Sequence, residues 1–230
     1  MRWDHPQRGS IGPGTFIPVA EESALINELT RWAIRRVCSQ LRTWHQQYPE
    51  SRALGVHVNI SGKDLTGPHF VAFVRESLRE TGVPPSCLTL EITESTLMQK
   101  LESVIGTLKE LRELGVGLSV DDFGTGYSSL SYLSALPITS LKIDRSFVRQ
   151  IGETKESGEI VRAIVRLGEA LGKRVIAEGV ETKAQLERLR QLDCACAQGY
   201  LLSRPLAVAQ AGGVLATFAA RAQEPSAATA

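Results

Sequence analysis

The apolar positions of the chain fall into two periods. From Glu21 to Gln46, Leu25, Leu29, Trp32, Ala33, Val37, Leu41 and Trp44 recur at helical spacing, which predicts a helix with one buried stripe. Beyond it, short runs rich in β-branched and aliphatic residues alternate with helix-patterned segments. The runs are LGVHVNI (54–60), CLTLEI (87–92), GLSVD (117–121), SLKID (140–144), RVIAE (174–178) and ACAQGY (195–200). Between them, Phe70–Thr81, Leu97–Leu114, Ser157–Leu171 and Lys183–Leu192 carry the helical period. Six strands spaced by helices of this length predict βα units and a parallel sheet, an α/β fold. Gly82, Gly115 and Gly172 come just after helices, where a left-handed cap is wanted.

The polar residues fall in step with this rhythm. Each strand run ends in a group able to bind a metal or a substrate: Asn59, Glu91, Asp121, Lys142, Glu178 and Gln198. In parallel α/β sheets ligands bind at the carboxyl ends of the strands, because the loops converge there. Strand side chains alternate, so His57 shares a face with Asn59, Thr89 with Glu91, Ser119 with Asp121 and Ser140 with Lys142. Small or polar companions suit a crowded interior beneath a site, and His57 is read as an interior residue rather than a ligand.

The stretch VDDFGTGYSSL (120–130) sharpens the reading. On a continuing strand Asp121 and Asp122 point to opposite faces. Both reach one site if the strand stops at Asp121 and the loop swings Asp122 round, a turn that Gly124 and Gly126 permit. Two carboxylates sharing a site raise each other's pKa unless a cation lies between them. The set Asn59, Glu91, Asp121, Asp122 and Glu178 offers only oxygen, which suits Mg²⁺ or Mn²⁺ rather than zinc or copper. The acidic pair is therefore read as straddling one or two metals, with Asp121 the candidate bridge. Two chemistries fit: two-metal hydrolysis of a phosphate ester, and metal-assisted proton abstraction beside a carbonyl. Asp122-Phe123-Gly124 spells the DFG of kinases, but no Gly-rich loop, strand lysine or H-R-D loop precedes it. Gly12-Pro13-Gly14 is read as a turn.

Composition narrows the partners. With 230 residues there is room for one large domain. Lys and Arg number 26 against 25 Asp and Glu, so a net charge of +1 gives no electrostatic case for DNA, RNA or an anionic membrane. Cys38, Cys87, Cys194 and Cys196 show no C-x-x-C spacing and suit a reduced, cytoplasmic protein. No run has the length of a membrane segment, and charges occupy the N-terminus where a signal peptide has its apolar core. The Ala/Ser/Pro-rich segment RAQEPSAATA predicts a disordered tail over 221–230, after a domain over 1–220.

Taken together, RWDHPQRG (2–9), FIPVAEES (16–23), VNIS (58–61), LEITES (90–95), DDFGTGYSSL (121–130), LKIDRSFV (141–148), IAEGVET (176–182) and AQGYLLSRPL (197–206) resemble the EAL domain family. These are bacterial phosphodiesterases that hydrolyse cyclic di-GMP. The resemblance implies a TIM-like (β/α)8 barrel. By motif, Asn59, Glu91 and Asp121 would hold one metal, and Asp121, Asp122 and Glu178 the second. Lys142 would sit beside the attacking water or the phosphate, Gln198 would help position the site, and Arg2 would contact a substrate phosphate. Glu94 would anchor the Asp121–Leu130 loop, and Glu181 would support the ligands from behind.

The family's Glu-Ala-Leu tripeptide, whose Glu ligates the first metal, lies just before the Arg-Trp matched by Arg2-Trp3. The chain starts at Met1, so that Glu is absent, and the first strand and most of the second are expected to be missing from the barrel. The alternative is a degenerate module that binds cyclic di-GMP or a protein without cutting. GGDEF or sensory domains are implied as partners, as is a homodimer formed by the region after the Asp121–Leu130 loop.

Overall fold

The computed structural model describes residues 1–126, 130–152 and 155–223. A short antiparallel hairpin, β1 (Trp3–His5) with β2 (Gly9–Ile11), opens the chain and leads into α1 (Pro13–Glu22) and α2 (Leu25–Gln47). The six predicted strands all form: β3 (Val56–Asn59), β4 (Leu88–Thr93), β5 (Gly117–Phe123), β6 (Ser140–Ile143), β7 (Arg174–Ala177) and β8 (Cys196–Ala197). Helices α3 (Gly62–Leu65) and α4 (Phe70–Thr81) follow β3, and α5 (Glu94–Glu113) follows β4. α6 (Leu130–Ala135) follows β5, α7 (Arg145–Arg149) and α8 (Lys155–Ala170) follow β6, α9 (Lys183–Gln191) follows β7, and α10 (Val208–Gln223) comes last.

The sheet order is β3-β4-β5-β6-β7-β8, and every pairing is parallel. Sequence order and spatial order coincide because each helix carries the chain back over the sheet to the next position. The result is a TIM-like half-barrel. Among the described residues no strand pairs with the outer edge of β3 or of β8.

Parity along the strands divides the sheet into two faces. Leu88, Leu90, Ile92, Leu118, Val120, Leu141, Ile143, Val175 and Ala177 are buried in one continuous core with helix residues such as Leu97, Leu108, Val161 and Leu189. The opposite parity carries Thr89, Glu91, Ser119, Asp121, Ser140 and Lys142. Ser140 Oγ donates to Ser119 Oγ at 2.9 Å, so the small polar residues on this face satisfy each other.

Several boundaries depart from the periodicity. The helix predicted over Glu21–Gln46 is two helices, because Ser23 takes an extended backbone (φ −100°, ψ 174°) and closes α1. Gly12-Pro13-Gly14 is not a turn but the start of α1; Pro13 sits in its first turn, where its missing N–H costs nothing. β8 is two residues long rather than spanning 195–200. α10 runs to Gln223, so the tail predicted from Arg221 begins inside a helix, and 224–230 lie outside the described residues. Gly82, Gly115 and Gly172 do have the left-handed backbone expected of caps, with φ of 65°, 91° and 62°.

The loop leaving β3 is tied down by a buried carboxylate. Asp64 Oδ2 accepts from Ser61 N, Ser61 Oγ and Thr30 Oγ1, each at 2.9 Å, and Asp64 is only 2% exposed. This joins the end of β3, where Asn59 sits, to the second turn of α2.

Candidate metal centre

The carboxyl ends of β4, β5, β6 and β7 bring four acids around one ammonium. Lys142 Nζ lies 2.8 Å from Glu91 Oε1, 3.1 Å from Asp121 Oδ1 and 2.6 Å from Glu178 Oε1. The Lys142 and Glu91 side chains are each 5% exposed, Asp121 12% and Glu178 19%. Asp122 completes the group. Ligand atoms of Asp121, Asp122 and Glu178 all lie within 4.8 Å of one another, close enough to share one cation.

Adjacent acids converge here by a route other than the expected end of the strand. β5 continues through Asp121 and Asp122 to Phe123, and its register with β6 shifts between Val120 and Phe123. Such a bulge inserts an extra residue and re-aims a side chain. Asp122 takes a left-handed backbone, φ 54°, and its N–H donates to Asp121 Oδ1 at 3.1 Å. Asp is among the few side chains that tolerate this region. Gly124, at φ 100°, then turns the chain away.

The electrostatics follow from crowding. Burial alone would lower the pKa of Lys142, but the negative charge of Glu91 and its bonds to Glu178 and Glu91 outweigh that and raise it. Burial would raise Glu91; the hydrogen bond from His57 and the charge of Lys142 reverse the sign and hold it below the ordinary carboxylate range. Glu178 goes the other way. Its burial, with Asp121 and Glu91 nearby, exceeds the help from Lys142, so its carboxyl is raised. Desolvation beside Asp121 and Asp144 raises Asp122 as well. Four carboxylates against one ammonium leave an excess of negative charge that a divalent cation would neutralise. The donor set is all oxygen, so the residues present fit a hard divalent ion.

The other expected residues are placed as follows. Asn59 is exposed at the end of β3 and pairs in register with Glu91. Glu94 is 1% exposed at the start of α5, and its Oε2 accepts from Gly124 N at 2.8 Å and Gly126 N at 3.4 Å. Gln198 is exposed; its N–H donates to Ala177 O and its carbonyl accepts from Val180 N. The next residue, Gly199, admits no side chain, since a Cβ there would meet Val180 N and O at 2.2 Å. Glu181 is exposed and its N–H is held by Gln185 Oε1 ahead of α9. Among the described residues Arg2 makes no hydrogen bond or ion pair with these acids. It lines a separate cleft of about 720 Å³ with Trp3, Arg8, Phe16, Val19 and Trp32.

Two neighbours were not singled out as functional from sequence. His57, read as interior, donates to Glu91 Oε1 at 2.7 Å. Asp144 lies near enough to Asp122 to help push its carboxyl up, and is held by Ser146 N at 2.9 Å. The signal for both was strand parity: His57 is two residues from Asn59, and Asp144 two from Lys142.

Similarity to known proteins runs over most of the chain. A family profile described as EAL domain matches residues 1–205. The chain is 46% identical over 209 residues to the cyclic di-GMP phosphodiesterase NbdA of Pseudomonas aeruginosa, covering 91% of this chain and 26% of that protein. It is 42% identical over 214 residues to the bifunctional diguanylate cyclase/cyclic di-GMP phosphodiesterase MucR of Pseudomonas aeruginosa, covering 91% of this chain and 30% of that one. It thus spans under a third of these two relatives. The solved structure of the PaMucR phosphodiesterase in complex with c-di-GMP superposes with a TM-score of 0.86 at 43% identity, over 91% of this chain and 84% of that chain.

Proposed function

The chain belongs to the EAL domain family, and from that premise we propose that it is a metal-dependent phosphodiesterase that opens cyclic di-GMP to the linear dinucleotide pGpG. The observation that carries the reading is the convergence of Asp121, Asp122 and Glu178 at the strand ends, with Lys142 between Asp121 and Glu178. Asn59, Glu91 and Asp121 would hold one Mg²⁺ or Mn²⁺, and Asp121, Asp122 and Glu178 the second. When bound, such a pair neutralises the phosphodiester charge and acidifies the attacking water.

The residues themselves supply placement and charge. In the reaction the oxygen of water forms a bond to phosphorus, the bond from phosphorus to the 3′-oxygen breaks, and the leaving oxygen takes up a proton. Lys142, a compact cation with three donors, faces the developing charge on the phosphoryl oxygens or orients the water. Gln198 positions the site, and Arg2 contacts a substrate phosphate. Glu94 holds the turn after Asp122 in place through Gly124 and Gly126. Glu181 supports the ligands from behind.

GGDEF or sensory domains as partners belong to the same reading, as does a homodimer formed by the region after the Asp121–Leu130 loop. Residues 127–129 of that loop lie outside the described residues. Cytoplasmic placement is supported by four free cysteines. No helix among the described residues is long and apolar enough to cross a membrane.

The test is incubation of the purified chain with cyclic di-GMP and Mn²⁺ or Mg²⁺, with products separated by chromatography. Release of pGpG that stops in EDTA and in Asp121→Asn is the expected result. Cyclic di-GMP retained by the chain with no pGpG formed would instead select the non-hydrolysing module.

A further inference from the structure

His57 faces the same side of the sheet as Asn59 and lies one pleat below it, in register with Thr89 on β4. From there its Nδ1 reaches Glu91 Oε1 at 2.7 Å. Glu91 Oε1 accepts, so Nδ1–H is the donor on this bond. Lys142 Nζ bonds the same oxygen at 2.8 Å. Both contacts therefore fall on Oε1, and Oε2 is left for a cation.

The two donors differ in what a metal would do to them. Lys142 also bonds Asp121 and Glu178, so an incoming divalent ion that takes those two acids draws its ammonium away from Glu91. His57 bonds Glu91 alone among the four acids, and on the oxygen a cation would not need. Its side chain is 40% exposed, too open for a residue retained to fill space. Glu has three rotatable bonds, and ordering them only when the metal arrives would weaken binding.

We propose that His57 is a positioning residue, whose Nδ1–H holds Glu91 Oε1 in place and presents Oε2 to a divalent cation. The proposal rests on the metal reading above. Partners that orient metal ligands in this way are commonly worth about 10- to 100-fold in metal affinity.

The test is titration of the full chain with Mn²⁺, with free ion followed by electron paramagnetic resonance, and a melting curve in EDTA to show folding. His57→Leu keeps the bulk and removes the donor; it should bind Mn²⁺ about 10- to 100-fold more weakly than the parent. His57→Asn carries an amide N–H at the position of Nδ1 and should recover most of the lost affinity, which a structural role based on ring packing would not allow. If the leucine variant does not fold, His57→Ser, too short to reach Glu91, carries the same expectation. Asp121→Asn is the control. Parent-like affinity in His57→Leu with binding lost in Asp121→Asn overturns the proposal and leaves the metal reading standing. Equal affinity in the parent and Asp121→Asn overturns the metal reading, and this proposal with it.

Discussion

Replacing Lys142 by methionine removes the cation that three carboxylates share and keeps the side-chain length. Each of its pairs, at 2.6 to 3.1 Å, is worth about 5–6 kcal/mol of attraction at an effective dielectric of about 20. Desolvation of the ammonium offsets several kcal/mol of that. Removing one partner of a buried cluster commonly costs about 3–5 kcal/mol, because the charges left behind remain buried. For a chain of this size that is a drop of about 6–20 °C in melting temperature.

The sign with pH follows from the acids. Without Lys142 the carboxylates relieve repulsion by binding protons, so the loss should be larger at pH 8 than at pH 5. In the parent, Lys142 has its pKa raised by folding. Its contribution is therefore fully present below the ordinary lysine value, about 10.4, and is lost as pH rises through the folded value. Divalent cations no longer compete with an ammonium in the variant, so saturating Mn²⁺ should stabilise Lys142→Met more than the parent. Turnover should fall while metal binding holds. Scanning calorimetry in EDTA and in Mn²⁺ measures each term. A variant that melts within about 2 °C of the parent in EDTA at pH 8 would refute the buried cluster, since the shift expected for this size is several times larger.

Asp64→Ala leaves Ser61 N, Ser61 Oγ and Thr30 Oγ1 without their shared acceptor and should cost about 3 kcal/mol by chemical denaturation, whereas Thr30→Val alone should cost about 1 kcal/mol. Glu94→Ala strips the acceptor from Gly124 N and Gly126 N; it should cost about 2–3 kcal/mol and lower turnover, with Glu94→Gln keeping an acceptor oxygen and most of both. Among the described residues no strand pairs with the outer edges of β3 and β8, which offer backbone to another chain, so the isolated chain should self-associate with concentration; a monodisperse monomer by light scattering at high concentration contradicts this.

What the sequence made legible was set by period and parity. Six strands and the intervening helices follow from apolar spacing, and β4, β5 and β6 are buried on both faces as their composition requires. The same alternation placed Glu91, Asp121 and Lys142 on one face, where they meet. The hairpin of β1 and β2 was invisible because its three-residue strands are mostly exposed and carry no pattern. The break at Ser23 was hidden because apolar residues continue across it into Leu25. Asp144 was passed over as the last letter of a strand run, although its carboxyl lies against Asp122. Arg2, Gln198 and Glu181 drew their roles from family likeness, and no periodicity reports which loop residue turns toward a site.

The bulge at Asp121–Asp122 is where local rules and the site part company. Alternation along a regular strand would put these carboxylates on opposite sides of the sheet, one of them against the helices. A register shift and a left-handed Asp122 bring both to the strand ends instead. A non-glycine residue in that region costs on the order of 1–3 kcal/mol, and two close carboxylates add repulsion. The one local return, the bond from Asp122 N–H to Asp121 Oδ1, offsets only part of this. The arrangement is held by surroundings that are fixed independently: Leu118, Val120 and Phe123 in the core, and Lys142 against Asp121. A fold that sustains strain and like charge at the one point where its loops converge has those carboxylates ordered before a cation arrives. Restoring a regular strand there would leave the core positions filled and separate the acids, so the bulge acts on the site rather than on the barrel.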